Sequence, residues 1–208
     1  MRLWQGGLLL GATALLMTAC AQDGYDDEPE ANRQYVSWGV TAGPNISGYR
    51  IGLHDIEGHS VQPSFGFGAD AFLEYHISDP WRLRLDVGPS IDHVIVDRSH
   101  KAAICVDVAL PVILRLPTPR RCAWVIGAGP YSHFDAIGNN APMAIVGSDQ
   151  QADNFNSGLA ILVAYETPSH WQLQAVCHWG MTNLLNSESH NGYILPYKIA
   201  FSIGHHFQ

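Results

Sequence analysis

The chain carries 11 histidines among its 208 residues, and imidazole is the side chain best placed to bind a metal or move a proton near neutral pH. Six of them, His54, His59, His93, His100, His133 and His190, fall in or beside segments that read as long loops. Gathered at one rim they would form a metal- or haem-capturing surface. Their spacing argues against it, because His54 and His59 sit in a loop rather than on a helix face and no set matches a known ligand pattern. Solvated loop histidines are the better reading, so no metal ligand and no cofactor is assigned. His205 and His206 are neighbours in a strand and point to opposite faces, which prevents joint chelation.

Nucleophile, carboxylate and base types meet at Ser187, Glu188, Ser189 and His190, the ingredients of a lipid-modifying hydrolase. Neighbours on one loop rarely hold triad geometry, and no Gly-x-Ser-x-Gly turn occurs. No catalytic residue is assigned, and the chain reads as a non-enzyme. Of the cysteines Cys20, Cys105, Cys122 and Cys177, the first lies in a targeting segment, which leaves an odd number downstream and at least one thiol free or paired between chains.

Composition narrows the elements that could position any of these groups. The chain is 47% hydrophobic and 14% charged, too apolar for disorder, and 19 acids against 11 bases give a net charge of −8. With no Lys/Arg block, nucleic acid is excluded as a main partner. The longest apolar run, Gly6 to Met17, falls short of the roughly 18–20 residues a spanning helix needs. Arg2, the apolar Leu8 to Met17 and the small-residue site Ala19-Cys20-Ala21 instead resemble a secretory signal peptide over 1–21. A second reading makes Met17-Thr18-Ala19-Cys20 a lipobox with Cys20 lipidated, although Met is a poor residue at its start. Residues 22–34 are polar, acidic and aperiodic, and read as a flexible leader.

From Tyr35 onward the hydrophobic period is two. Trp171, Leu173, Ala175, Cys177, Trp179 and Met181 alternate with Gln172, Gln174, Val176, His178, Gly180 and Thr182. The same pattern recurs over Phe65–Ile77, Trp81–Ile91, Ala102–Leu116, Phe155–Tyr165 and Tyr197–Phe207, and less cleanly over Tyr35–Asn45 and Cys122–Phe134, which makes eight strands. Short turns at Ser78–Pro80, Pro117–Arg120 and Thr167–His170 alternate with long connections at Ile46–Ser64, Asp92–Lys101, Asp135–Asn154 and Asn183–Pro196. Short on one side and long on the other is the layout of an up-and-down barrel crossing an outer membrane.

The charged face carries Asp70, Glu74, Arg82, Arg84, Asp86, Asp107, Arg115 and Lys198, both signs in near balance among small residues. That mixture suits a narrow lumen where each buried charge needs a partner. The opposite face offers an aliphatic belt with Trp81, Trp171, Trp179, Tyr75, Tyr165 and Tyr197 at interface depth. A soluble lipocalin-type barrel would reverse these faces. Strand parity puts Cys105 in the lumen and Cys122 and Cys177 toward lipid.

Several segments, in order, resemble the PorT-like, porin-type small outer-membrane β-barrels of Gram-negative bacteria. Gly39-Val40-Thr41-Ala42-Gly43-Pro44-Asn45-Ile46-Ser47 is similar to that family's first strand, and Glu74-Tyr75-His76-Ile77-Ser78-Asp79-Pro80-Trp81 to its second strand, turn and third strand. Leu110-Pro111-Val112-Ile113-Leu114-Arg115, Gly127-Ala128-Gly129-Pro130-Tyr131, Trp179-Gly180-Met181-Thr182-Asn183-Leu184 and the closing Ser202-Ile203-Gly204-His205-His206-Phe207 complete the likeness. Where such barrels often carry an arginine and a tyrosine before the seventh-strand glycine, this chain has Val176 and Cys177.

The expected molecule is therefore an all-β, eight-stranded antiparallel up-and-down transmembrane β-barrel over 35–208, monomeric and in the cell outer membrane. Its lumen is expected to be filled and non-conducting, with outer-membrane lipid around it and an extracellular ligand or protein met by the loops 46–64 and 135–154. A small pore or secretion-associated barrel is the alternative, followed by the lipid-modifying enzyme and the histidine-rich metal or haem trap.

Overall fold

A computed structural model describes residues 36–53, 61–118, 121–137, 154–184 and 192–207. The signal segment and the acidic leader lie outside them. Alternating apolar and polar residues have no helical face to bury, so the chain runs as strands: β1 (Val36–Leu53), β2 (Val61–His76), β3 (Trp81–Val96), β4 (Ser99–Ala109), β5 (Val112–Pro117), β6 (Ala123–Ile137), β7 (Phe155–Glu166), β8 (Trp171–Gly180) and β9 (Gly192–Phe207). All pairings are antiparallel, and β1 pairs with β9 as well as β2, which closes the ring.

Nine segments make eight staves. β4 and β5 are one stave interrupted at Pro111, which has no N–H to give the ladder. Ala109 faces Asp86 and Tyr131, and three residues on Val112 faces Leu83 and Ala128, so the register is unbroken on both sides. The eight-stranded antiparallel barrel read from the sequence is the fold.

The turn side is as expected. Ile77 and Ser78 donate their backbone N–H to the Trp81 carbonyl, Thr118 to that of Cys122, and Thr167 to that of Trp171. The loop side needs correction, because the staves are longer than alternation alone suggested. The expected loop Asp92–Lys101 is strand on both sides of a two-residue turn, with Val96 facing Ser99. Asp97 and Arg98 hold φ of 48° and 68°, the left-handed pair of a tight hairpin turn, without the Asn or Gly that usually announces one. Residues 46–53 belong to β1 and 61–64 to β2, leaving 54–60 outside the described residues. Asp135–Ile137 extend β6, and β9 starts at Gly192, so of the other two expected loops 138–153 and 185–191 fall outside. At 18 residues for β1 and 16 for β2, β3 and β9, these strands exceed the roughly 9–11 needed to cross a bilayer.

The two faces separate as the charges require. Leu73 is 48% exposed and Trp171 47%, whereas Glu74 and Arg84 are 0% exposed inside. Trp38, Tyr75, Trp81, Trp124, Tyr165, Trp171 and Phe207 ring the turn side of the outer surface, with Trp38 stacked on Phe207 and Trp124 edge-on to Tyr165. Toward the loop side stand Phe65, Phe67, Phe134, Phe155 and Trp179. Trp124 and Phe134 are ten residues apart on β6, about 33 Å along a strand and about 25 Å along the axis at the usual tilt, the height of a membrane-facing band.

Cys105 is buried inside as expected, and Cys177 is on the outer face; both are free thiols. Cys122 departs from the lipid-facing expectation. It precedes the first residue of β6, where strand parity has not begun, and is disulfide-bonded and 1% exposed.

Ile161 lies near mid-height of the outer face, facing Ala128 across the β6–β7 pairing, whereas Ile137 ends β6 at the loop side. Ile161→Arg should destabilise the barrel by about 2–4 kcal/mol and Ile137→Arg by about 0–1 kcal/mol, as depth in a bilayer dictates. Denaturant unfolding in lipid vesicles checks this; equal costs would mean that the belt is misplaced.

Candidate functional site

The lumen concentrates every buried charge of the described residues, in two tiers. The turn-side tier centres on Arg84 of β3. Its Nη2 lies 2.7 Å from Asp86 Oδ1 and its Nη1 3.4 Å from Glu74 Oε1. It also donates to Gln172 Oε1 at 3.4 Å and Gln174 Oε1 at 3.1 Å, and its guanidinium stacks over Phe72 at 3.9 Å. Arg82 holds the second Glu74 oxygen at 2.8 Å, Arg115 holds Glu166 at 2.7 Å, and His206 Nε2 meets Gln172 at 2.7 Å. Gln174 reaches Thr41 of β1. The tier thus ties β1, β2, β3, β5, β7, β8 and β9. Strand geometry makes this possible, since residues two apart return to one face and present Arg82, Arg84 and Asp86 together.

Above it, small residues (Gly43, Gly68, Ala109, Ala160, Ala200) line a cavity of about 40 Å³ bordered by Asp70, Asp107 and His178. Such a space holds a few waters at most, as one needs roughly 10–15 Å³.

The outer tier centres on Asp107 of β4. Oδ1 accepts from Tyr131 at 3.0 Å and His133 Nδ1 at 2.7 Å, while Oδ2 accepts from Ser90 at 2.9 Å and from Lys198. Lys198 also holds Asp92 Oδ2 at 2.8 Å, and Asn45 donates to Asp92 Oδ1 at 3.2 Å. Tyr131 stacks on His178 with ring centres 4.0 Å apart. Asp135 Oδ1 accepts from Cys105 Sγ at 3.1 Å and from His133 Nε2 at 3.2 Å. Both nitrogens of His133 face carboxylates, which accept when ionised, so the ring is an imidazolium. It offers no lone pair to activate Cys105, whose side chain is 0% exposed. The cysteine and histidine are therefore not poised for thiol catalysis. Over this tier Val94, Val96, Leu184 and Ile194 pack with Tyr49, Ile51 and Val61 into an apolar cluster.

His133 is the correction among the histidines read as a loop-side set. It sits inside, 8% exposed, because β6 runs on to Ile137 and parity carries position 133 into the lumen. His93 and His100 take the opposite face, His93 with Nδ1 2.7 Å from the Phe65 carbonyl. His54, His59 and Ser187 to His190 lie outside the described residues. Asp92 and Asp135, taken for loop residues, are lumen residues; the signal was their parity, which continues that of Arg82, Arg84 and Asp86 in one case and of His133 in the other.

No family model and no curated protein matches this chain. Among solved structures, Neisserial surface protein A is 13% identical, with 84% of this chain covering 100% of that one at a TM-score of 0.50. The outer membrane protein OprG of Pseudomonas aeruginosa is 13% identical, covered over 83% and 96%, at 0.49, and the attachment invasion locus protein Ail of Yersinia pestis is 10% identical, over 84% and 100%, at 0.43. The fold is that of a small outer-membrane β-barrel.

Arg84→Met should cost about 3–5 kcal/mol, the usual penalty for stranding a buried charge. Adding Asp86→Asn should restore part of it, because Asp86 depends on Arg84. Paired unfolding curves test this; a double variant less stable than the single one would show that the carboxylate is supported by something else.

Proposed function

We propose that the chain is a monomeric outer-membrane protein of the PorT-like, porin-type kind, non-enzymatic and non-conducting, that acts through its extracellular loops. The reading rests on the filling of the lumen. An eight-stranded ring leaves a bore about as wide as the side chains that line it, and here ion pairs occupy two levels with an apolar cluster above. A hydrated solute would have to break Arg84 from its partners and then displace Val94, Leu184 and Ile194. Membrane residence is supported by the exposed aliphatic belt between two aromatic girdles, which water would not tolerate on a monomer. Export by residues 1–21 and flexibility of 22–34 belong to this reading.

With the bore filled, interaction falls to the long connections, where surface proteins on rigid scaffolds carry function. The segments 54–60 and 138–153, which remain of the loops expected over 46–64 and 135–154, are the candidate contact surface for an extracellular ligand or protein. Lipid is the other partner.

Purified, folded chain should migrate at different apparent sizes before and after boiling and give no stable steps in a planar bilayer. Discrete channel openings would overturn the non-conducting part. An epitope inserted in 138–153 should be stained on intact cells; staining only after permeabilising the outer membrane would reverse the proposed orientation.

A further inference from the structure

We propose that Cys105, His133, Asp135 and Asp92 form a lumenal binding site for one divalent ion of the zinc class. The site goes beyond the loop-based reading above and does not depend on it. Ligand atoms of Asp92, Cys105 and His133 all lie within 4.8 Å of one another. Asp135 Oδ1 lies between the last two, 3.1 Å from Sγ and 3.2 Å from Nε2. Bond lengths of about 2.3 Å to sulfur and about 2.0–2.2 Å to nitrogen and oxygen put tetrahedral ligand atoms about 3.3–3.6 Å apart. The two separations to Asp135 Oδ1 are thus within a few tenths of an ångström of those in a first coordination shell, and Asp92 shares with Cys105 and His133 the wider 4.8 Å grouping.

The fold supplies the convergence. Cys105 faces Asp135 across the β4–β6 ladder, and immediately beyond, Ile104 faces Ile137, so β6 carries one extra residue, Ala136. Such a bulge re-aims the flanking side chains. His133 stands two residues before Asp135 on the same face, and Asp92 comes from β3 on the other side of β4. Asp107 Oδ1, 2.7 Å from His133 Nδ1, gives the imidazole the carboxylate that orients a metal-bound histidine and leaves Nε2 for the ion.

Charge and space agree. Three carboxylates (Asp92, Asp107, Asp135) stand against Lys198 and the His133 imidazolium, a net of one negative charge. An entering dication displaces one proton from Nε2 and one from the Cys105 thiol, both released to solvent. Two positive charges arrive and two protons leave, so the buried net charge is unchanged. A cavity of about 20 Å³ adjoins, lined by Asp92, His133 and His178 among others, and His178 Nδ1 is buried with no hydrogen-bond partner. The other close trio, Glu74, Glu166 and His206, is already neutralised by Arg82, Arg84 and Arg115. A thiolate with an imidazole selects zinc-like ions over magnesium or calcium.

The test is to fold the untagged full chain into detergent with cobalt(II), a spectroscopic stand-in for zinc. One equivalent of cobalt per chain is expected after gel filtration, with a thiolate-to-cobalt charge-transfer band. Cys105→Ser should abolish the band and His133→Gln the stoichiometric cobalt, while Cys177→Ser retains both. Should Cys105→Ser lose the heat-modifiable mobility of a folded barrel, Asp135→Asn serves instead, with affinity down about tenfold or more. Folded wild type without bound cobalt, a band that survives Cys105→Ser, or unchanged affinity in Asp135→Asn overturns the proposal.

Discussion

A guanidinium shut away from solvent governs this molecule. Arg84 is 0% exposed, and an ion removed from water is tolerable only with opposite charges and hydrogen bonds around it. Glu74 on the neighbouring stave, Asp86 two residues along its own, and Gln172 and Gln174 across the bore provide them. A slip of one residue in any of these strands would turn a member outward into the apolar belt. The turn-side tier therefore fixes register as well as filling space, and the exterior is apolar because the interior has taken the charges.

Close approach completes the packing. A Cβ on Gly158 would meet the Trp179 carbonyl oxygen of β8, and one on Gly43 the Phe201 carbonyl oxygen of β9. These positions hold glycine because a neighbouring backbone occupies the place of a side chain. Between the tiers, glycine and alanine share the lining with Leu162, Val176 and Pro111, and beside them Ile113, Val125 and Leu162 pack into a buried apolar cluster, so the space left is small.

The strands and the lumen charges well inside them, such as Glu74, Arg84, Asp107 and Lys198, were legible in the sequence because period two survives even across Pro111, where the ladder is cut but the parity is not. Stave ends were not legible. A polar run such as Asp92-His93 before Asp97-Arg98 looks the same whether it enters a loop or continues a strand whose outer half has left the membrane, since water and lumen both accept polar side chains. That ambiguity hid Asp135 and moved His133 to the rim. It also concealed the bulge at Ile104–Cys105, which has no composition of its own: Ala136 is an ordinary residue that becomes the extra one only once both neighbouring registers are set.

The two tiers differ in a way that alternation cannot reveal. On the turn side Arg82, Arg84 and Arg115 balance Glu74, Asp86 and Glu166, three guanidiniums against three carboxylates. Nearer the loops one lysine and one imidazolium face Asp92, Asp107 and Asp135. Part of the positive charge in that tier is a proton that can leave, whereas the arginines opposite keep theirs. The turn-side tier therefore keeps its arginine charges in place, while the outer tier, at the proposed metal site, exchanges protons for another cation beneath the apolar cluster of Val94, Val96, Leu184 and Ile194.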